Sequence, residues 1–198
     1  MKILAIIYAS IVLHEFGHAF LFKIQGIQIV KIMIFPLEFT RNSNNKWKVK
    51  IRFNFFCFGL VVPQIPILNH DVEKEFNSIY KKALLAGPCM NAVIIFFSMM
   101  FLVIDNYKLL YYVLFLNLFI LLNCFSDSTL IMGDIVAYKR ISECREIFLL
   151  VLFTSYLEDQ NGKKENIIYF QNEFSSVLNK EINSKIRKKI LIAYSKLE

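Results

Sequence analysis

The sequence predicts a mainly α membrane protein: three transmembrane helices, a small membrane-associated β-sheet inserted between the first two, and C-terminal cytoplasmic helices. Three observations predict it. Apolar residues make up 56% of the 198 residues and phenylalanine alone contributes 20, a load above that of soluble domains of this size. Apolar runs at about residues 3–24, 82–104 and 107–125 reach or approach the ~20 residues that a hydrocarbon core of about 30 Å requires. Between the first two runs, residues 27–62 carry strand-like alternation and β-branched residues instead.

The first run contains His14-Glu15-Phe16-Gly17-His18, the pattern H-E-x-x-H. Ionisable groups at membrane depth are costly and mark function by default. Two histidines four residues apart lie on one helix face about 40° apart, so both imidazoles can reach one zinc ion. Glu15, next to them, is placed to act as general base toward an attacking water. A cleaved signal peptide would leave a small-residue cleavage site, which does not follow this run. Paired core histidines without a metal would leave three polar groups buried with nothing to offset the cost.

In the insert, Lys48 to Phe55 alternates polar and apolar residues and reads as a half-buried strand. Gln28 to Phe35 reads as a second strand, Arg41 to Asn45 as the turn between them, and Phe56 to Val62 as a third strand. Lys82 to Ile104 and Tyr107 to Phe125 form an antiparallel helical pair joined at Asp105-Asn106. After Asp134 the chain turns amphipathic; Ile147 to Leu157 is apolar but too short to span. This organisation divides the chain into a core over residues 1–140 and a helical tail over 141–198.

The net charge is +7. Its basic residues cluster beside the apolar runs, in the connection from Lys31 to Lys82 and in the tail, which is the positive-inside pattern and calls for no nucleic-acid partner. With three spans, the connection and the tail share the cytoplasmic side, and His18 falls in the half of the first span nearer that side. The four cysteines (Cys57, Cys89, Cys124 and Cys144) are scattered without C-x-x-C, which indicates neither a Cys-type zinc site nor a disulfide framework.

Catalytic zinc takes three protein ligands and keeps one position for water. His70, the only other histidine, sits in Asn69-His70-Asp71 after Pro66 and is the weaker source. The end of the third run, Asn123-Cys124-Phe125-Ser126-Asp127-Ser128-Thr129-Leu130-Ile131-Met132-Gly133-Asp134, offers Asp134 or, alternatively, Asp127. Asp134 is favoured because it adjoins a glycine and begins a new helix; otherwise both aspartates simply cap helices.

With these residues in place, the chain resembles the site-2 protease family of intramembrane zinc metalloproteases. H-E-x-x-H in an early span, Ala86-Gly87-Pro88-Cys89-Met90-Asn91 as a G-P-x-x-N element at the head of the next span, and Asn123 followed by Gly133-Asp134 come in the family's order over residues 1–140. The third element departs from the family's Asn-x-x-Pro and Asp-Gly: Ser126 replaces the proline and Gly133 precedes Asp134. The resemblance implies a multi-pass protein of the cell membrane, bacterial by its Lys-, Ile-, Asn- and Phe-rich composition, with its active site toward the cytoplasm. It implies a membrane-embedded protein or peptide as substrate, Zn2+ as cofactor, and the lipid bilayer as surroundings. Asn123 would hold the substrate backbone or the oxyanion, Asn91 would orient the site or pair helices, and Gly87 and Pro88 would shape a helix start. The altered third element also admits a catalytically inactive binding or immunity protein on the same scaffold. A soluble zincin is disfavoured by the length of the apolar runs.

Overall fold

The computed structural model describes all residues except 1, 43, 54–58, 105–106, 128–131, 160–161, 181 and 198. Helix α1 (Lys2–Ile24) carries His14, Glu15 and His18. It ends in a Schellman turn: Gly26, at φ 74°, donates to the Lys23 carbonyl at 3.1 Å, and the Ile27 N–H reaches the Phe22 carbonyl at 2.9 Å. Glycine adopts that left-handed backbone without a Cβ penalty. The turn directs the chain into an antiparallel sheet of β1 (Ile29–Ile34), β2 (Leu37–Arg41), β3 (Trp47–Ile51) and β4 (Gly59–Pro63), in spatial order β3-β2-β1-β4.

The expected strands at 28–35 and 48–55 appear as β1 and β3, and the one at 56–62 as β4; residues 54–58 fall outside the described residues. The segment before Arg41 corrects the reading. It is a strand, β2, that includes Arg41 and stands between the two expected strands, so the expected turn at Arg41 to Asn45 does not join them directly: the chain reverses twice, at Phe35-Pro36 and between Asn42 and Lys46. Alternation concealed this strand. Glu38 points inward at 6% exposure, and Lys31 on β1 does the same at 3%. They pair at 3.1 Å, and Glu158 and Arg52 complete the cluster at 2.9 Å each. Burial works against the Glu38 carboxylate, but the hydrogen bonds from Arg52 and Lys31 outweigh it and hold its pKa below the ordinary value.

Helix α2 (His70–Ile104) is the second correction. It begins twelve residues before the expected 82, with Asn69 as its cap: the Asn69 side chain accepts from the Asp71 and Val72 N–H groups at 3.0 and 2.9 Å. Gly87 and Pro88 therefore lie inside a helix and do not start one. Helix α3 (Lys108–Asn123) is followed by α4 (Asp134–Glu143), α5 (Arg145–Glu158), α6 (Glu165–Leu178) and α7 (Ser184–Tyr194); the expected turn at Asp105-Asn106 lies outside the described residues.

α1 and α2 are long and apolar enough to cross a membrane, and only 28% and 22% of their most apolar stretches are buried inside the protein. Large side chains such as Phe16, Phe20, Phe96, Phe97 and Phe101 stand exposed along them. A soluble core helix would bury these faces, so lipid is the medium that fits them. α3 is apolar but has 16 residues, about 24 Å of helix. A separate core lies at the other end, where Phe148, Leu152 and Phe153 of α5, Phe170 and Phe174 of α6 and Ile190 of α7 close over Phe76 of α2. Between the two, Phe22, Val61 and Ala83 join α1, β4 and α2.

Candidate metal centre

Helical spacing puts His14 and His18 on the face of α1 that packs against α2, where both are 7% exposed. Each ring is held through Nδ1. The His14 Nδ1–H donates to the Asn91 side-chain oxygen at 2.7 Å, and the His18 Nδ1–H donates to the Ala83 carbonyl at 2.6 Å. Carbonyl oxygens only accept, so both rings carry their lone pair on Nε2 when neutral. The two Nε2 atoms face each other at 3.2 Å. Asp134, the first residue of α4, brings Oδ2 to 3.0 Å from His14 Nε2 and 3.5 Å from His18 Nε2.

Three electron-rich atoms thus converge on one point. One shared proton can join only one pair of them; a divalent cation satisfies all three. Donors about 2.0–2.1 Å from a tetrahedral zinc are roughly 3.3 Å apart, and the separations of 3.0, 3.2 and 3.5 Å bracket that value. Nitrogen and carboxylate donors of this kind suit zinc, so the residues fit the metal.

Glu15 is the neighbouring acid. It is 7% exposed, groups with His14 and His18, and lines a cavity of about 100 Å³ together with His18, Asp134, Gly59, Leu60 and Tyr80. The site depends on two glycines. A Cβ on Gly87 would overlap the His18 ring and lie 2.8 Å from His14 Nε2, and a Cβ on Gly59 would collide with the Glu15 carboxylate. Gly87 thus makes room for the imidazoles from mid-helix. Pro88 after it has no N–H for the Leu84 carbonyl and weakens the ladder of the same turn whose Ala83 carbonyl receives His18.

The other sequence candidates fall elsewhere. Asp127 pairs with Arg140 on an exposed surface. Asn123 is exposed at the end of α3, and its side-chain amide donates to the Phe119 carbonyl at 2.8 Å. His70 faces Glu173 at 3.6 Å and is not beside His14. Sequence reasoning missed the continuation of the support behind Asn91. The Asn91 amide donates to Asn117 at 3.4 Å, and the Asn117 amide donates to the Ser10 hydroxyl at 3.0 Å and to the Val113 carbonyl at 2.8 Å. Asn91 and Asn117 are both 0% exposed. The one available signal was an asparagine in the middle of the apolar run Tyr107 to Phe125, since a polar group at that depth needs a partner.

The model of peptidase family M50 matches residues 2–194, nearly the whole chain. The chain belongs to that family, the site-2 protease family of membrane metallopeptidases. No curated protein and no solved structure matches it significantly.

Proposed function

We propose that the chain is a zinc-dependent endopeptidase that cuts a peptide bond in or near a transmembrane segment of a membrane-tethered protein or peptide precursor. The convergence of His14, His18 and Asp134 beside Glu15, on helices whose apolar faces are exposed, is the observation that carries the reading. In this reading α3 is a third span, and the basic connection and tail put the site toward the cytoplasm of a bacterial cell.

His14, His18 and Asp134 would hold the metal. Bound zinc would polarise the scissile carbonyl and make a water acidic enough to attack near neutral pH. Glu15 takes the proton of that water and returns it to the leaving amine nitrogen. The family resemblance gives Asn123 the substrate backbone or the developing oxyanion, a donor contribution of a few kcal/mol that would require it to leave the Phe119 carbonyl. An unwound substrate segment adds to the sheet, where main-chain pairing supplies affinity. The alternation of residues 48–55 points to β3 as the receiving strand. The geometry favours β4, because this strand lies at the other end of the sheet order and lines the cavity that holds Glu15.

Zinc per chain in detergent-purified protein, measured after zinc loading and removal of loose metal, tests the reading. One zinc per chain is expected, together with accumulation of an uncut membrane-embedded partner by Glu15→Gln. Loss of all zinc on purification refutes it. Retained zinc with no phenotype from Glu15→Gln supports instead the inactive binding or immunity protein.

A further inference from the structure

Cys124 is buried beside the same site. It follows the last residue of α3 and is 4% exposed. The Ile135 N–H donates to its carbonyl at 3.0 Å, which ties its backbone to the first turn of α4, where Asp134 sits. Among the described residues its Sγ donates to the Ile120 carbonyl at 3.4 Å and to Asp134 Oδ2 at 3.7 Å. The Sγ also lies within 4.8 Å of the ligand atoms offered by both His14 and Asp134. A tetrahedral zinc with a sulfur bond of about 2.3 Å and an oxygen bond of about 2.0–2.2 Å sets sulfur and oxygen roughly 3.5–3.7 Å apart. The thiol therefore has a zinc-like distance to Asp134 and lies within reach of His14, next to three donors that already have zinc-like spacing.

We propose that Cys124 is a fourth ligand of the metal held by His14, His18 and Asp134, closing the site at rest and giving up its position when substrate enters. On coordination Sγ gives a lone pair to the metal and its proton leaves to solvent. Four protein donors make a closed site, whereas catalysis needs an open position. The thiol thus keeps a resting enzyme from attacking at random, and substrate binding has to displace it, the sulfur taking a proton back from solvent as its bond to the metal breaks. This inference rests on the metal-centre reading above and adds a ligand that the family's H-E-x-x-H and aspartate do not supply.

Cobalt(II) tests it, because thiolate ligation gives an intense near-ultraviolet charge-transfer band that nitrogen and oxygen ligation does not. Detergent-purified protein is loaded with cobalt alone, and bound metal and absorption are read together. One cobalt per chain with the band is expected in the wild type. The band should vanish in Cys124→Ser while cobalt stays near one per chain. A second variant, with Cys57, Cys89 and Cys144 changed to serine, should keep the band, so the assignment does not depend on Cys124→Ser folding. Stoichiometric cobalt without the band, or a band that persists in Cys124→Ser, overturns the inference and leaves the metal-centre reading standing. Failure of the wild type to bind cobalt overturns both.

Discussion

Replacing Asn91 by alanine tests whether the polar chain behind His14 sets metal affinity. In the wild type the His14 Nδ1–H donates to Asn91 at 2.7 Å, with Asn91 0% exposed. The substitution leaves that N–H without an acceptor in an apolar interior, and it strands the Asn117 oxygen that Asn91 now serves at 3.4 Å. An unsatisfied buried donor costs ~1–3 kcal/mol, and each ~1.4 kcal/mol is tenfold in affinity. Zinc should therefore bind about 10–100-fold more weakly, the usual range for losing a hydrogen-bond partner behind a ligating histidine. The assay is chelator competition at constant pH in detergent, with circular dichroism to confirm the helices. Asn91→Asp restores an acceptor for the histidine and should recover most of the affinity. If Asn91→Ala binds zinc within threefold of wild type while folded, the histidine is not oriented through Asn91 and the reasoning is wrong.

Three further outcomes are expected. Asp134→Asn should lose retained zinc and Asp127→Asn should keep it, because only Asp134 reaches both histidines while Asp127 pairs with Arg140; zinc lost equally from both variants would put the third ligand in doubt. Glu38 is held below its ordinary pKa near 4.5, so its stabilisation is complete at pH above that value and fades as pH falls through the lower, folded value; thermal unfolding measured from pH 6 to 3 should fall more steeply in the wild type than in Glu38→Gln, and parallel curves would reject the role of the Lys31–Glu38–Arg52 cluster. Proline placed in turn at Leu60 and Val61 of β4 should abolish cleavage with zinc retained at whichever residue turns its N–H outward, while proline at Val49 of β3 should be tolerated; the opposite result would restore β3 as the substrate strand.

The local chemistry was legible in the chain. H-E-x-x-H in an apolar run points to a metal-binding helix because the spacing of side chains on one helix face is set by 3.6 residues per turn. Of the three apolar runs read as spans, two fall in helices long enough to cross a membrane, as hydropathy predicts. Three strands, β1, β3 and β4, could be read from their β-branched content and alternation. β2 could not, because its inward Glu38 breaks the alternation and is stable only against Lys31 and Arg52 from neighbouring strands. The start of α2 was misplaced for a similar reason: residues 70–81 are too polar to read as a membrane helix, yet they continue it, capped by Asn69 and covered by the tail helices.

What the sequence determined by itself is therefore whatever one element's periodicity encodes: two histidines and a glutamate on one face, the apolar lengths, and the class of metal chemistry. Which distant groups meet that face was decided only by the tertiary structure. The approach of α4 brings Asp134 to the histidines and leaves Asp127 outside, the missing side chain of Gly87 lets two rings lie against α2, and the packing of α1, α2 and α3 sets Asn91 against His14 with Asn117 behind it. Those contacts join residues up to 120 positions apart, and no local periodicity carries information over such a distance; the cost of burying unpaired polar groups selects them once the helices pack.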